Sequence, residues 1–206
     1  MSYSEESKNK LLQYYNNLIS EHTDNNAQAQ GWASEDTENA RFEIFSKVGD
    51  LNNHSVLDVG CGFGDFYSFL KSKRIDCKYT GIDINPEMIK TAETKYPSAQ
   101  FQVIDFGDND FTEKFDYIFC SGALSFMVPD YKNFYFAKVK KMFELSKKGV
   151  AFNMLTEKNN IKTEDEKLYA TYSTQEVLDF CKELTEKVSI QEGYLPNDFT
   201  VFLYHI

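Results

Sequence analysis

The ten residues VLDVGCGFGD, Val56 to Asp65, constrain the fold of this chain more than any other stretch. An apolar strand runs directly into glycines at alternate positions, Gly60, Gly62 and Gly64, after which Phe66, Phe69 and Leu70 recur at helical spacing. A strand that turns this tightly into a helix belongs to a sheet whose parallel strands are joined through helices. Glycines at such a turn also let a ligand approach the backbone closely.

The rest of the chain repeats that rhythm. Val56–Val59, Tyr79–Asp83, Gln100–Ile104, Tyr117–Cys120 and Val150–Leu155 are short apolar runs separated by segments that can hold helices, which predicts a mostly parallel sheet covered on both faces. Asn85 with Pro86 marks one helix start, and Ser173 with Glu176 has capping-box spacing at another. Lys187–Gln191 and Phe199–His205, joined by a short loop, read as an antiparallel pair closing the sheet.

Ahead of the first strand, Leu11, Leu12, Tyr15, Leu18 and Ile19 predict an amphipathic helix, and Ser34–Val48 a second. Glu21–Gln30 between them is polar and reads as a loop or mobile lid. With 206 residues, one domain is expected, a helical cap over 1–50 on a core over 51–206.

Charge and composition exclude several functions. The net charge is −10 and Lys and Arg form no long run, so no surface for neutralising nucleic-acid phosphates is expected. The four cysteines have no CxxC pair and the three histidines are scattered, so no metal site is expected. The polar start MSYSEESKNK and the lack of any span-length apolar stretch predict a cytoplasmic chain with reduced thiols.

A glycine-rich turn also opens dinucleotide-binding folds, and the acidic residues separate the two readings. That pattern has Gly or Ala five positions after the first glycine, where this chain has Asp65, and Asp58 precedes Gly60 by two. Two carboxylates at the turn oppose a pyrophosphate and suit a cationic ligand such as S-adenosylmethionine, with its sulfonium and ammonium. Nineteen residues after Gly64, Asp83 ends a strand where a carboxylate can accept both ribose hydroxyls. Asp105 ends the next strand, where it can accept an adenine amino group.

DVGCGFG, GIDIN, VIDF and FDYIFCSGAL, in this order and spacing over roughly Leu51 to Leu155, closely resemble the ordered motifs of class I, Rossmann-like S-adenosylmethionine-dependent methyltransferases. The resemblance implies a seven-stranded sheet with an antiparallel last strand, and a donor lying across the carboxyl ends of the first strands. It implies a donor loop of Asp58, Gly60, Cys61, Gly62 and Gly64, ribose contacts at Asp83 and Ile84, an adenine site at Asp105 and Phe106, and Ser121 under the methionine moiety. The fourth strand runs into SGAL and not the Asn/Asp-Pro-Pro-aromatic motif of many nucleic-acid and protein amino-group methyltransferases. That weighs against such acceptors, and with no basic face and 13 Tyr and 18 Phe available to line a pocket, a small-molecule acceptor is favoured.

Other residues are assigned by position. Arg41, on the helix before the donor loop, can pair with the donor carboxylate or with a neighbouring acid. Trp32 can form a lid, its ring facing the sulfonium. Tyr15 is expected in the core and Tyr14 in the acceptor pocket, with Phe126, Asn153, Tyr194 and Asn197 as further acceptor contacts, near Asp198. The acidic TEDE, Thr163 to Glu166, is read as a solvated loop without chemistry.

The reaction expected is direct transfer of the sulfonium methyl to a nucleophile aligned by the pocket, with no protein nucleophile and no catalytic residue assigned. A protein methyltransferase and a non-catalytic donor-binding partner subunit are the competing readings. The acceptor and the oligomeric state are not legible in the sequence.

Overall fold

A computed structural model describes residues 1–23, 26–108, 110–157 and 168–206. The strands are β1 (Ser55–Val59), β2 (Lys78–Asp83), β3 (Gln100–Val103), β4 (Phe115–Cys120), β5 (Ser146–Thr156), β6 (Thr171–Tyr172), β7 (Val188–Glu192) and β8 (Asp198–Tyr204). The helices are α1 (Glu5–Glu21), α2 (Asn26–Ala29), α3 (Glu35–Phe45), α4 (Asp65–Ser72), α5 (Pro86–Lys95), α6 (Tyr131–Leu145) and α7 (Thr174–Leu184). All seven strands expected from the apolar runs are present.

They form one sheet in the order β3-β2-β1-β4-β5-β8-β7. β8 inserts between β5 and β7, antiparallel to both, and the other pairings are parallel. An eighth strand was not anticipated: the two residues of β6 pair with Leu155 and Thr156 of β5, and a two-residue strand is too short to show a period.

The period of two along each strand assigns the sheet faces. Leu57, Val59, Ile118, Cys120, Val150, Phe152, Val201 and Leu203 point to the face covered by α6 and α7. Val56, Tyr117, Phe119, Ala151 and Phe202 point to the face covered by α3, α4 and α5. Helices therefore lie on both faces, as expected.

Two local readings are corrected. Ser173 stands at the α7 N-cap without a side-chain cap bond, and the Glu176 side chain, which a capping box would turn back to the Ser173 N–H, accepts instead from Lys132 at 2.7 Å. The stretch read as a polar loop before Trp32 contains α2, whose Ala27 and Ala29 are buried, alanine being small enough to pack closely without marking an apolar stripe. The buried apolar residues of α3 are Phe42, Ile44 and Phe45. The Asn85 cap is as expected, its side chain accepting from Glu87 N–H at 2.9 Å. Its amide also donates to Asn16 of α1 at 2.9 Å, tying the N-terminal helix to the sheet edge. The TEDE stretch lies outside the described residues. Among the described residues no helix is long and apolar enough to cross a membrane.

Candidate active site

A cavity of about 410 Å³ opens over the carboxyl ends of β1, β2 and β4, beneath the N-terminal helices. Its size falls within the roughly 300–1,000 Å³ usual for small-molecule sites. The loop after β1 builds its floor. Gly60 has φ +76°, and a Cβ there would lie 2.4 Å from the Cβ of Ala123, so only glycine lets this loop meet the loop after β4. Gly62 has φ +53° and is covered by Gln30, whose amide donates to Asp65 at 2.6 Å and whose oxygen accepts from Phe63 N–H at 2.8 Å.

Asp83 closes one side, accepting from Gly62 N–H at 3.1 Å and Asn85 N–H at 2.8 Å. Burial raises its pKa, and these backbone donors oppose that rise. Asp105 accepts from Gly107 N–H at 2.9 Å and Tyr3 N–H at 3.0 Å, and pairs with Lys138 at 3.4 Å. Burial pushes Asp105 upward, but Lys138 and the two N–H groups outweigh it and hold the carboxyl below its ordinary value.

A polar chain crosses the opposite wall. Gly122 N–H donates to Asn153 at 2.8 Å, Asn153 donates to Asp198 at 2.9 Å, and Asp198 pairs with Arg41, which also donates to the Thr37 carbonyl at 2.8 Å. The Arg41 guanidinium stacks 4.6 Å from the centre of the Trp32 ring. That ring lies so close to Gly122 that a Cβ there would come within 2.3 Å of it. Two buried polar atoms on the cavity residues have no hydrogen-bond partner among the described residues, Arg41 Nε and Ser121 Oγ.

The fold brings most of the selected residues together. Arg41, Gly60, Gly62, Asp83, Ile84, Asp105, Phe106 and Ser121 line the cavity, as do Trp32, Phe126, Asn153 and Asn197. The others fall outside it, each for a definite reason. Asp58 is buried beneath the loop, accepting from Tyr79 OH at 2.6 Å. Burial pushes its carboxyl up to about 7, with Asp83 and Asp65 adding to the rise against the Tyr79 hydrogen bond. Cys61 turns its thiol down against Gly81, and Gly64 is the left-handed N-cap of α4, packed on Phe101.

Tyr194 turns back to Thr200, 2.8 Å away, while its neighbours Leu195 and Pro196 reach the cavity. Of the two tyrosines of α1, Tyr15 packs against the core as expected and also reaches the cavity, whereas Tyr14 does not line it. The Tyr14 hydroxyl is 2.6 Å from that of Tyr169. Asp65, expected to face a cationic ligand, instead meets Gln30 and Lys95 behind the loop. Its position at the start of α4 fixes nearness in sequence but turns the side chain away.

Sequence reasoning missed Gln30, Tyr3 and Lys138. Lys138 had a legible signal: it shares the buried stripe of α6 with Phe134, Tyr135 and Met142. Among the described residues, no group of three His, Cys, Asp or Glu side chains is placed to hold a metal.

Residues 56–146 match the family model described as a methyltransferase domain. A Mycobacterium tuberculosis protein described as a methyltransferase is 27% identical over 156 residues, 72% of this chain and 92% of that one. The trans-aconitate 2-methyltransferase of Escherichia coli is 30% identical over 92 residues, 45% of this chain and 36% of the enzyme. The chain also spans about half, 49%, of a methyltransferase from Invertebrate iridescent virus 6, at 26% identity and 61% of its own length. Among solved structures, the DhpI–SAH complex superposes with a TM-score of 0.73 at 18% identity, over 97% of both chains. Magnesium protoporphyrin IX methyltransferase from Synechocystis PCC 6803, with bound SAH, superposes with a TM-score of 0.70 at 12% identity, over 95% of this chain and 98% of that one.

Proposed function

We propose that this chain, a class I, Rossmann-like S-adenosylmethionine-dependent methyltransferase by its domain match and fold, transfers the donor methyl group to a small organic acceptor. The observation that carries this reading is one cavity lined by the glycine loop, Asp83 and Asp105 together with Arg41 and Ser121, whose buried Nε and Oγ have no partner among the described residues. Buried polar groups without partners are costly, and a ligand with a carboxylate and an ammonium supplies partners for both.

In this reading Asp83 takes the ribose hydroxyls, Asp105 and Phe106 the adenine, and the Gly60–Gly62 backbone with Ser121 the methionine portion. Arg41, held by Asp198, turns its remaining donors to the donor carboxylate. The bound donor supplies an activated methyl group on a positively charged sulfur, already a good leaving group.

The residues of the chain have to orient the acceptor and exclude water. Trp32 and Tyr15 cover the cavity from the N-terminal helices, and Asn153 and Asn197 present polar groups beside it. No side chain is required as a nucleophile. We assign residues 1–50 to the cap and 51–206 to the catalytic core. The net charge of −10 favours a small acceptor over a nucleic acid. Relatives named for trans-aconitate and for magnesium protoporphyrin IX support a small-molecule acceptor.

A transfer screen with methyl-labelled donor over metabolite pools tests the reading. Label is expected in one small product. Failure of the donor and of S-adenosylhomocysteine to bind would overturn the assignment, whereas donor binding without transfer to any pool would favour a non-catalytic binding subunit.

A further inference from the structure

Lys138 is the one charged residue on the buried stripe of α6. Its ammonium lies 3.4 Å from Asp105 Oδ1, and both side chains are only 7% exposed. Its Nζ also sits 4.4 Å from the centre of the Tyr3 ring and 4.9 Å from that of Phe134. Taking two charges out of water costs several kcal/mol, and an apolar pair of similar volume is commonly as stable or more so. Stability alone therefore gives no reason for a lysine here.

The partners of Asp105 supply one. Lys138 and Gly107 N–H donate to Oδ1, and Tyr3 N–H donates to Oδ2. Each of these partners is a donor, so none can receive a proton from Asp105, and each favours the ionised carboxylate. Asp105 also lines the cavity, as Lys138 does, so what it offers a ligand is an acceptor.

We infer that Lys138 is a positioning residue that keeps Asp105 a pure acceptor, so that the donor site takes a purine with an exocyclic amino group and rejects its 6-oxo counterpart. The inference rests on the cavity being the S-adenosylmethionine site proposed above, and adds to it a specificity and the residue responsible. An amino group donates to the carboxylate. An oxo group at the same place sets its lone pairs against it.

Without Lys138, Asp105 is a buried carboxyl lacking its main counter-charge, and burial then favours the protonated acid. A protonated acid can donate to an oxo group and accept from an amino group, so discrimination collapses, the more so at low pH. The charged and titratable groups facing Asp105 are Lys138 and Lys141 from α6 and Tyr3 with the Met1 amino group from the N-terminal segment, and Asp108 lies on its own turn.

The test is calorimetric titration with S-adenosylhomocysteine and its 6-oxo analogue S-inosylhomocysteine, from about pH 5 to about pH 8, a window above the ordinary carboxylate range. The wild type is expected to prefer the adenosyl compound by about tenfold to a hundredfold, the worth of one hydrogen bond to a charged group, with little dependence on pH. In Lys138→Met the preference is expected to fall toward unity as pH is lowered, and Lys138→Arg to restore it. A Lys138→Met protein that loses affinity for both compounds equally, with its preference intact, has lost only structure and overturns the inference. If that variant does not fold, Asp105→Asn, which can both donate and accept, is expected to lose the preference, and retention there overturns the inference. A wild type that binds both compounds equally sinks this inference alone, whereas one that binds neither sinks the donor site itself.

Discussion

Arg41 and Asp198 form a buried ion pair on the cavity wall although 157 positions separate them in the chain. The pair joins α3, which precedes the sheet, to the start of β8 near its end, and Asn153 of β5 holds the second oxygen of Asp198. Arg41→Ala leaves Asp198 buried without its counter-charge, which should cost about 3–5 kcal/mol of stability. Loss of the contact to the donor carboxylate should weaken donor binding by about 1.5–3 kcal/mol. The double variant Arg41→Ala with Asp198→Asn separates the effects: its melting temperature should largely recover while its donor affinity does not. Recovery of both would mean that Arg41 serves the fold alone.

A second prediction concerns pH. Burial pushes Glu38 up to about 8, with Asp65 adding to the rise while the Trp32 hydrogen bond, Lys95 and Arg41 oppose it, and burial likewise pushes Asp58 up to about 7. Their ordinary values are 4.5 and 3.8. Between those ordinary values and the raised ones, the folded protein holds protons that the unfolded chain has released. Stability from these two groups is therefore complete below the ordinary values, falls as pH rises between the ordinary and the raised values, and is fully lost above about 7 for Asp58 and about 8 for Glu38. Denaturation followed across this range should show stability falling with pH, and Glu38→Gln, a permanent mimic of the protonated form, should flatten the fall. A slope unchanged in that variant would refute the assignment to Glu38.

The tryptophan ring supplies a third. Trp32 is the sole tryptophan of the chain, and it rests on Gly122 and Arg41 at the cavity. Adding S-adenosylhomocysteine should therefore change the intrinsic fluorescence, and Gly122→Ala should abolish that response. Its methyl group would meet the ring at 2.3 Å with φ at +74°, costing about 1–3 kcal/mol of stability. An unaltered fluorescence response in the alanine variant would place the ring elsewhere in solution.

The sequence made legible what depends on period and spacing. Short apolar runs located seven strands, and the Gly60–Gly64 turn with Asp83 and Asp105 located the cavity, because residues at the ends of neighbouring parallel strands must converge. Side-chain direction off those strands was less accessible. Asp65 and Asp83 are the same residue type, yet the first begins a helix and turns behind the loop while the second ends a strand and faces the cavity. Its place on the apolar stripe of α6 marks Lys138, but a lysine on a helix is ordinarily solvated, and its burial depends on Asp105, 33 residues away. The partner of Arg41 was hidden for the same reason, since neither helical spacing nor strand alternation relates α3 to β8.

The last prediction concerns Asp83, where the structure revises what the sequence suggests. From its place at the end of a strand, Asp83→Asn should affect only the ligand. In the fold, however, both carboxylate oxygens already work, Oδ2 accepting from Gly62 N–H and Oδ1 from Asn85 N–H. Asparagine offers one acceptor oxygen and an amide that must donate, so one of these N–H groups loses its partner and faces another donor. The variant should therefore lose about 1–3 kcal/mol of stability as well as about 1.5–3 kcal/mol of donor affinity. The two losses are separable with a donor analogue lacking one ribose hydroxyl. Wild type should discriminate against the analogue, and Asp83→Asn much less, because the hydroxyl no longer meets a carboxylate. If the glycine loop has merely loosened, both ligands weaken together and the preference survives, and Asp83 then shapes the loop without reading the ribose.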